Sequence, residues 1–195
     1  VRAWEFDTGG TVESTPTMAL GRLFVGTFND HLFCLDADSG KEIWRFHVGG
    51  LLRASPSVWN GTVYFGADDD RFYAVDALSG EERWHIELGP GGEQSSPAIQ
   101  DGRVVFGAFD HDVYCADATT GEVLWRSTTG GGMLSSPAIA DGVVLIASMD
   151  KKVHAIDFET GEPRWTFETG DVSFSSPAVA DDRVLVGSDD HNVYA

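Results

Sequence analysis

The strongest constraint on this chain is a repeat. Pro16, Pro56, Pro97, Pro137 and Pro177 stand 40, 41, 40 and 40 residues apart, and Trp4, Trp44, Trp84, Trp125 and Trp165 stand 40, 40, 41 and 40 apart. The two series run in phase, and the single extra residue falls between Trp84 and Pro97, in the glycine-rich LGPGGEQS. A period of this length means one supersecondary unit copied in series, each copy too small to bury its apolar face alone. Its regularity makes residues 1–195 one expected domain.

The best-kept stretch of each copy reads AVDALSGEERW at residues 74–84, and recurs as CLDADSGKEIW (34–44), CADATTGEVLW (115–125) and AIDFETGEPRW (155–165). A small residue ends an apolar strand, and the aspartate two places on accepts backbone N–H bonds in the turn that follows. Glycine supplies a left-handed position, and tryptophan opens the next strand while covering a large apolar area. Upstream, each proline leads into a short strand and a tight turn. Asn60-Gly61, Asp101-Gly102 and Asp141-Gly142 are strong hairpin signals, whereas the first and last copies have Leu20-Gly21 and Asp181-Asp182 there. The second strands, LFVG, VYFG, VVFG, VLIA and VLVG, start at Leu23, Val63, Val104, Val144 and Val184. Near-continuous apolar runs of this kind are covered on both faces. A polar turn then carries Asn29, Asp69, Asp110, Asp150 and Asp190 at one equivalent position. Glycine, proline and β-branched residues in every window leave no helix signal.

Four short strands in each repeat predict an all-β chain, a β-propeller of five four-stranded blades. The blades are expected at residues 14–46, 54–87, 95–127, 135–168, and 175–195 together with 1–6. Residues 1–6, VRAWEF, carry Trp4 in phase and read as a fourth strand, while 176–195 supply three strands. The expectation is that this N-terminal strand lies beside residues 192–195 and closes the last blade, removing exposed sheet edges. The rival is a set of five blades from a seven- or eight-bladed propeller.

The frame small–x–Asp–x–x–Ser/Thr–Gly–x–x–x–Trp resembles the tryptophan-docking motif of quinoprotein (PQQ-type) propellers, and the SSPA starts at Ser95, Ser135 and Ser175 look like the same family. The resemblance implies that Trp4, Trp44, Trp84, Trp125 and Trp165 are structural, packing between blades. One branch of that family is quinone-dependent dehydrogenases with about eight blades, adjacent disulfide-bonded cysteines, a bound calcium and a catalytic aspartate. This sequence has no adjacent cysteine pair, and turns account for its repeated aspartates. The other branch uses the repeats as a binding surface, as in a bacterial outer-membrane assembly lipoprotein and the sensor domains of some membrane kinases. The second branch fits better. It implies a non-catalytic scaffold or sensor module, monomeric and extracytoplasmic or at the cell surface, with no PQQ or other cofactor.

Charge narrows the partners. A net charge of −18, from 31 acidic and 13 basic residues, repels nucleic acid and anionic membrane, so both are set aside. No apolar run reaches the 18 or so residues of a membrane span, and no basic–apolar signal segment stands in these residues. Lysine occurs only at 41, 151 and 152, a pattern that suits a protein adapted to high salt; an ordinary acidic surface is the other reading. Cys34 and Cys115 share a position in non-neighbouring repeats and are read as buried, unpaired thiols.

Binding is sought where the repeats differ, because shared positions are explained by the fold. Three residues before each proline stand Glu13, Arg53, Gln94, Leu134 and Phe174, expected near the rim of the central channel. Glu13, Arg53 and Gln94 would form a polar arc, and Met133, Leu134 and Phe174 an apolar one, able to hold a partner's side chain or a small ligand. Loop drift without a ligand is the plainer reading. The alternative function, a five-bladed enzyme or a lectin-like propeller, would act at the same rim. Asp68-Asp69-Asp70 lacks the further ligands of a calcium loop, His111 and His191 lack convergent partners, and no nucleophile elbow or triad spacing occurs. No metal site and no catalytic residue are therefore expected.

Overall fold

A computed structural model describes residues 3–91 and 95–195. Among them are 19 strands and no helix, and the chain divides into two compact units, Val1–Leu88 and Gly89–Ala195. The division falls in the glycine-rich segment that carries the extra residue of the repeat.

The first unit holds two antiparallel four-stranded sheets. One is β1 (Thr17–Ala19), β2 (Arg22–Gly26), β3 (His31–Asp36) and β4 (Glu42–His47), and the other is β5 (Ser57–Trp59), β6 (Thr62–Ala67), β7 (Arg71–Asp76) and β8 (Glu82–Glu87). The second unit holds three sheets: β9 (Ala98–Gln100), β10 (Arg103–Gly107), β11 (Asp112–Asp117) and β12 (Val123–Thr128); β13 (Ala138–Ala140), β14 (Val143–Ser148), β15 (Lys152–Asp157) and β16 (Pro163–Glu168); and β17 (Ala178–Ala180), β18 (Arg183–Gly187) and β19 (Val193–Tyr194). Strands pair in sequence order throughout, so every sheet is a meander. The expected strand order and the expected placement of the apolar runs are both found.

The turns show why the spacing is so regular. Asn60, Asp101 and Asp141 have φ of 46°, 49° and 49°, each followed by a glycine that is also left-handed. This is the two-residue hairpin turn that the Asn-Gly and Asp-Gly pairs predict. Leu20 adopts the same conformation, φ 56°, although its side chain gains nothing there and is 61% exposed. The next turn places Asp30, Asp70, His111, Lys151 and His191 at positive φ. The shared position of His111 and His191 is therefore a turn position.

Cores form between consecutive sheets. In the first unit Phe24, Leu32 and Cys34 meet Val63, Phe65 and Val75; in the second, Val105, Val113 and Cys115 meet Val144, Ile146 and Ile156. Ala147 and Val153 meet Val186 and Tyr194 in a smaller cluster. Both cysteines are unpaired and buried, and burial pushes the Cys115 thiol up to about 12. Residues 3–8 are not part of a strand, yet Trp4 and Phe6 cover Val25, Phe33 and Leu35 of the first sheet. The fifth sheet holds three strands among the described residues, and Val1 and Arg2, which begin its expected fourth strand, lie outside them.

Candidate functional site

The repeated residues are consumed by bonds within and between sheets. Asp36 Oδ1 accepts from the Ser39 amide at 2.8 Å and the Ser39 hydroxyl at 2.6 Å, and Asp76, Asp117 and Asp157 cap the equivalent turns. The turn glycine then meets the tryptophan of the preceding repeat. Trp4 Nε1 donates to the Ala37 carbonyl at 3.0 Å, Trp44 to Ala77 at 3.3 Å and Trp125 to Phe158 at 3.0 Å. A Cβ added to Gly40, Gly80 or Gly161 would lie 2.4–2.7 Å from the ring above it. Glycine is thus required twice, by φ and by the indole face. The small residue of the frame stands directly across the ladder from its own tryptophan, as Cys34 does from Trp44 and Ala155 from Trp165.

Two further devices lie at positions whose roles the sequence did not disclose. Asp69, Asp110, Asp150 and Asp190 each accept the amide of the first glycine in the loop leaving the preceding sheet, from Gly49, Gly89, Gly130 and Gly170 at 2.6–2.9 Å. A residue four places on completes the clasp: the Tyr73, Tyr114 and Tyr194 hydroxyls donate to these carboxylates at 2.6–2.7 Å, and His154 Nε2 lies 2.9 Å from Asp150. Burial, with the bond to Asp110, pushes the Tyr114 hydroxyl up to about 12. The middle aspartate of the 68–70 cluster is accordingly a clasp, while Asp68 pairs with Arg53. Second, the serines before the prolines link consecutive sheets: the amides of Thr15, Ser96 and Ser136 donate to the hydroxyls of Ser55, Ser136 and Ser176. The signal for both was the repeat itself, which marks the positions without naming their partners.

The non-repeated positions are different. Arg53 lies with its guanidinium 4.8 Å from the centre of the Phe28 ring, 3.1 Å from Asp68 and 4.0 Å from Glu13. Two members of the expected polar arc, Glu13 and Arg53, are therefore brought together in the first unit, and Gln94 lies outside the described residues. In the second unit Leu134 and Phe174 are exposed, but Met133, expected beside them, is fully buried. Its side chain fills the space above Gly107 and packs with Val105 and Ile146, so the apolar arc loses that residue to the core. Among the described residues no group of three or more His, Cys, Asp or Glu could hold a metal ion. They include no helix long and apolar enough to cross a membrane.

Among the described residues, every carboxylate whose pKa departs from its ordinary value is lowered, including Asp36 by Ser39, Asp117 by the Thr120 amide and Asp157, to about 2, by Arg164. These are ionised acceptors in turns and clasps. A proton-donating carboxyl would require a shift in the opposite direction.

The architecture is a known one. The chain superposes on BamB from Moraxella catarrhalis with a TM-score of 0.87 at 20% identity, over 98% of this chain and 60% of that one. It superposes on the computationally designed Ika8 protein with a TM-score of 0.82 at 18% identity, over 91% of this chain and 56% of that one. For the quinohemoprotein alcohol dehydrogenase ADHIIG of Pseudomonas putida HK5 the values are 0.77 and 20%, over 94% and 39%. These likenesses show a β-propeller fold, and the chain spans about 60% of the length of the Moraxella protein. No curated protein matches by sequence. The family model described as outer membrane protein assembly factor BamB matches residues 2–108 and 80–195. With the repeat, the docked tryptophans and the aspartate clasps in place along its length, the chain belongs to that family.

Proposed function

We propose that this chain is a non-catalytic, monomeric, protein-binding module of the BamB-like family that works outside the cytoplasm. The observation that carries the reading is a division of labour. Positions kept from repeat to repeat are occupied with turns, clasps and docking, whereas Arg53, Leu134 and Phe174 differ between repeats and stay accessible. Arg53 is held against Phe28, Asp68 and Glu13 with part of its guanidinium free, and suits a partner's carboxylate or carbonyl. Leu134 and Phe174 offer the second unit's apolar anchors. The family's description as an assembly factor of outer-membrane proteins supports both the protein partner and the extracytoplasmic setting.

The test uses a photo-crosslinking amino acid at position 53 or 174 of the full chain. Each is expected to trap a defined polypeptide, and Leu134→Glu to abolish trapping from position 174 without altering the circular dichroism spectrum. No trapped partner, or trapping that ignores these residues, overturns the reading. Sustained reduction of an electron acceptor by the chain with PQQ, calcium and an alcohol would also overturn it.

A further inference from the structure

One pair of facing side chains breaks a pattern that the other four-stranded sheets share. The first residue of each third strand stands directly opposite the last residue of the fourth: Arg71 opposite Glu87, Asp112 opposite Thr128 and Lys152 opposite Glu168. Each of these pairs is complementary, an ion pair at 2.9 Å, a hydrogen bond at 2.6 Å and an ion pair at 3.7 Å. The first sheet instead sets His31 opposite His47, with ring centres 5.1 Å apart. Opposite charges across a ladder attract one another directly. Two neutral imidazoles gain a comparable attraction from a cation that they share.

The hydrogen bonds of the two rings determine which nitrogens are available. His31 Nδ1 lies 2.6 Å from the Asn29 carbonyl, and His47 Nδ1 lies 3.2 Å from the Asp30 carbonyl. A carbonyl only accepts, so each Nδ1 carries the proton and each neutral ring keeps its lone pair on Nε2. Metal-binding histidines are held in this way, with a backbone carbonyl as the outer partner of the ring. The turn that supplies both carbonyls is itself fixed, because the Asn29 amide donates to the Thr8 carbonyl at 2.6 Å. The ring spacing also fits one ion. Two imidazoles on a tetrahedral cation, with metal–nitrogen bonds of about 2.0–2.1 Å, place their ring centres about 5 Å apart. Arg45, the neighbouring cation on this face, is neutralised by Glu42 through two bonds of 2.7 Å. The position is also open to solvent by its place on the sheet. Arg71 and Glu87 remain 43% and 62% exposed there, although the first sheet packs against theirs.

We infer that His31 and His47 together bind a divalent transition-metal ion of the zinc, nickel or copper class through their two Nε2 atoms, with water completing the coordination. Imidazole suits these ions, whereas magnesium and calcium take oxygen ligands. The ion would clamp β3 to β4 beside the turn at Asn29 and Asp30, as the ion pairs at this position do in the second and fourth sheets. With two protein ligands the site is weaker than the closed four-ligand centres of structural zinc. Neither Arg53 nor Leu134 and Phe174 takes part in it.

The test titrates the full chain, free of any histidine tag, with nickel chloride and separately with zinc chloride, by isothermal calorimetry. One ion per chain is expected to bind, and His31→Gln or His47→Gln should each weaken binding about tenfold or more (about 1.4 kcal/mol). The double variant should lose little more than either single one, because the first removal already breaks the chelate. His85→Gln, whose ring nitrogens face Glu82 and Glu87, should change nothing. The metal should also raise the melting temperature of the chain, and either single variant should remove that rise. His31→Arg combined with His47→Glu copies the pair at Arg71 and Glu87, so it keeps the sheet, which circular dichroism checks, and it should bind no metal. No saturable binding, loss that follows His85, or undiminished binding by the variant carrying both exchanges overturns the inference. Effects of the single variants that simply add overturn it too, since they assign the metal to two independent histidines.

Discussion

Trp44 lies flat on Gly80, so close that a Cβ there would sit 2.7 Å from Trp44 Cδ2. Gly61, in the same sheet, has nearly the same φ, 74° against 76°, but nothing within 4 Å of an added Cβ. The pair separates the backbone requirement from the packing one. Gly61→Ala should cost about 1–2 kcal/mol for the left-handed conformation alone. Gly80→Ala should cost clearly more, and the excess should vanish in a Trp44→Ala background, which a double-mutant cycle by urea unfolding reads directly. Equal costs at the two glycines would mean that the ring contact contributes nothing.

Leu20 predicts a gain. It sits at φ 56° in a turn where three other copies have Asn60, Asp101 and Asp141, residues that tolerate this conformation better. Leu20→Asn should stabilise by about 1 kcal/mol, seen as a higher urea midpoint with an unchanged slope.

Acid should undo the turns and clasps. Arg164 holds the Asp157 carboxyl down at about 2, and Tyr194 does the same for Asp190, against an ordinary value of 3.8. Groups lowered on folding contribute stability that is complete above the ordinary value and lost as pH falls through the folded one. Unfolding free energy should therefore fall between about pH 4 and 2, a window set by these shifts. Asp157→Asn should be less stable at neutral pH and should show a shallower slope there.

Salt distinguishes the two readings of the −18 charge. If self-repulsion opposes folding, melting temperature climbs from low to molar KCl as screening removes it. A flat or falling curve leaves an ordinary acidic surface.

The even repeat predicts that residues 1–195 unfold as one domain. Calorimetry of the full chain should give a single transition whose calorimetric and van't Hoff enthalpies agree. Two resolved transitions would instead assign separate stabilities to Val1–Leu88 and Gly89–Ala195.

Strand order and turn positions were legible because each rests on local chemistry: Asp101-Gly102 specifies its hairpin wherever it occurs, and so does the aspartate-capped turn at Asp76. Long-range partners were not legible. Asp69 could be placed in a turn, but its bonds to Gly49 and Tyr73 depend on how the preceding loop returns past it. Met133 shows the same limit at the candidate site. One position from Leu134 it reads as surface, yet Gly107 leaves a space that its flexible side chain fills. The meeting of Arg53 with Phe28 was likewise hidden, since neither residue belongs to the repeated frame.

The tryptophan, arginine and proline-flanking bonds that recur between neighbouring sheets within each unit run one way. Trp44 and Trp125 donate forward to Ala77 and Phe158, Arg22 and Arg103 donate to the same two carbonyls, and Thr15 and Ser136 donate amides to Ser55 and Ser176. A sheet therefore has a giving face and a receiving face, like the two sides of a zip. Two giving faces brought together would oppose these donors to one another, so a two-fold symmetric dimer through sheet faces could not repeat these bonds. Copies of this chain that reused these bonds face to face would stack head to tail, an arrangement that yields a ring or a growing filament and not a two-fold pair.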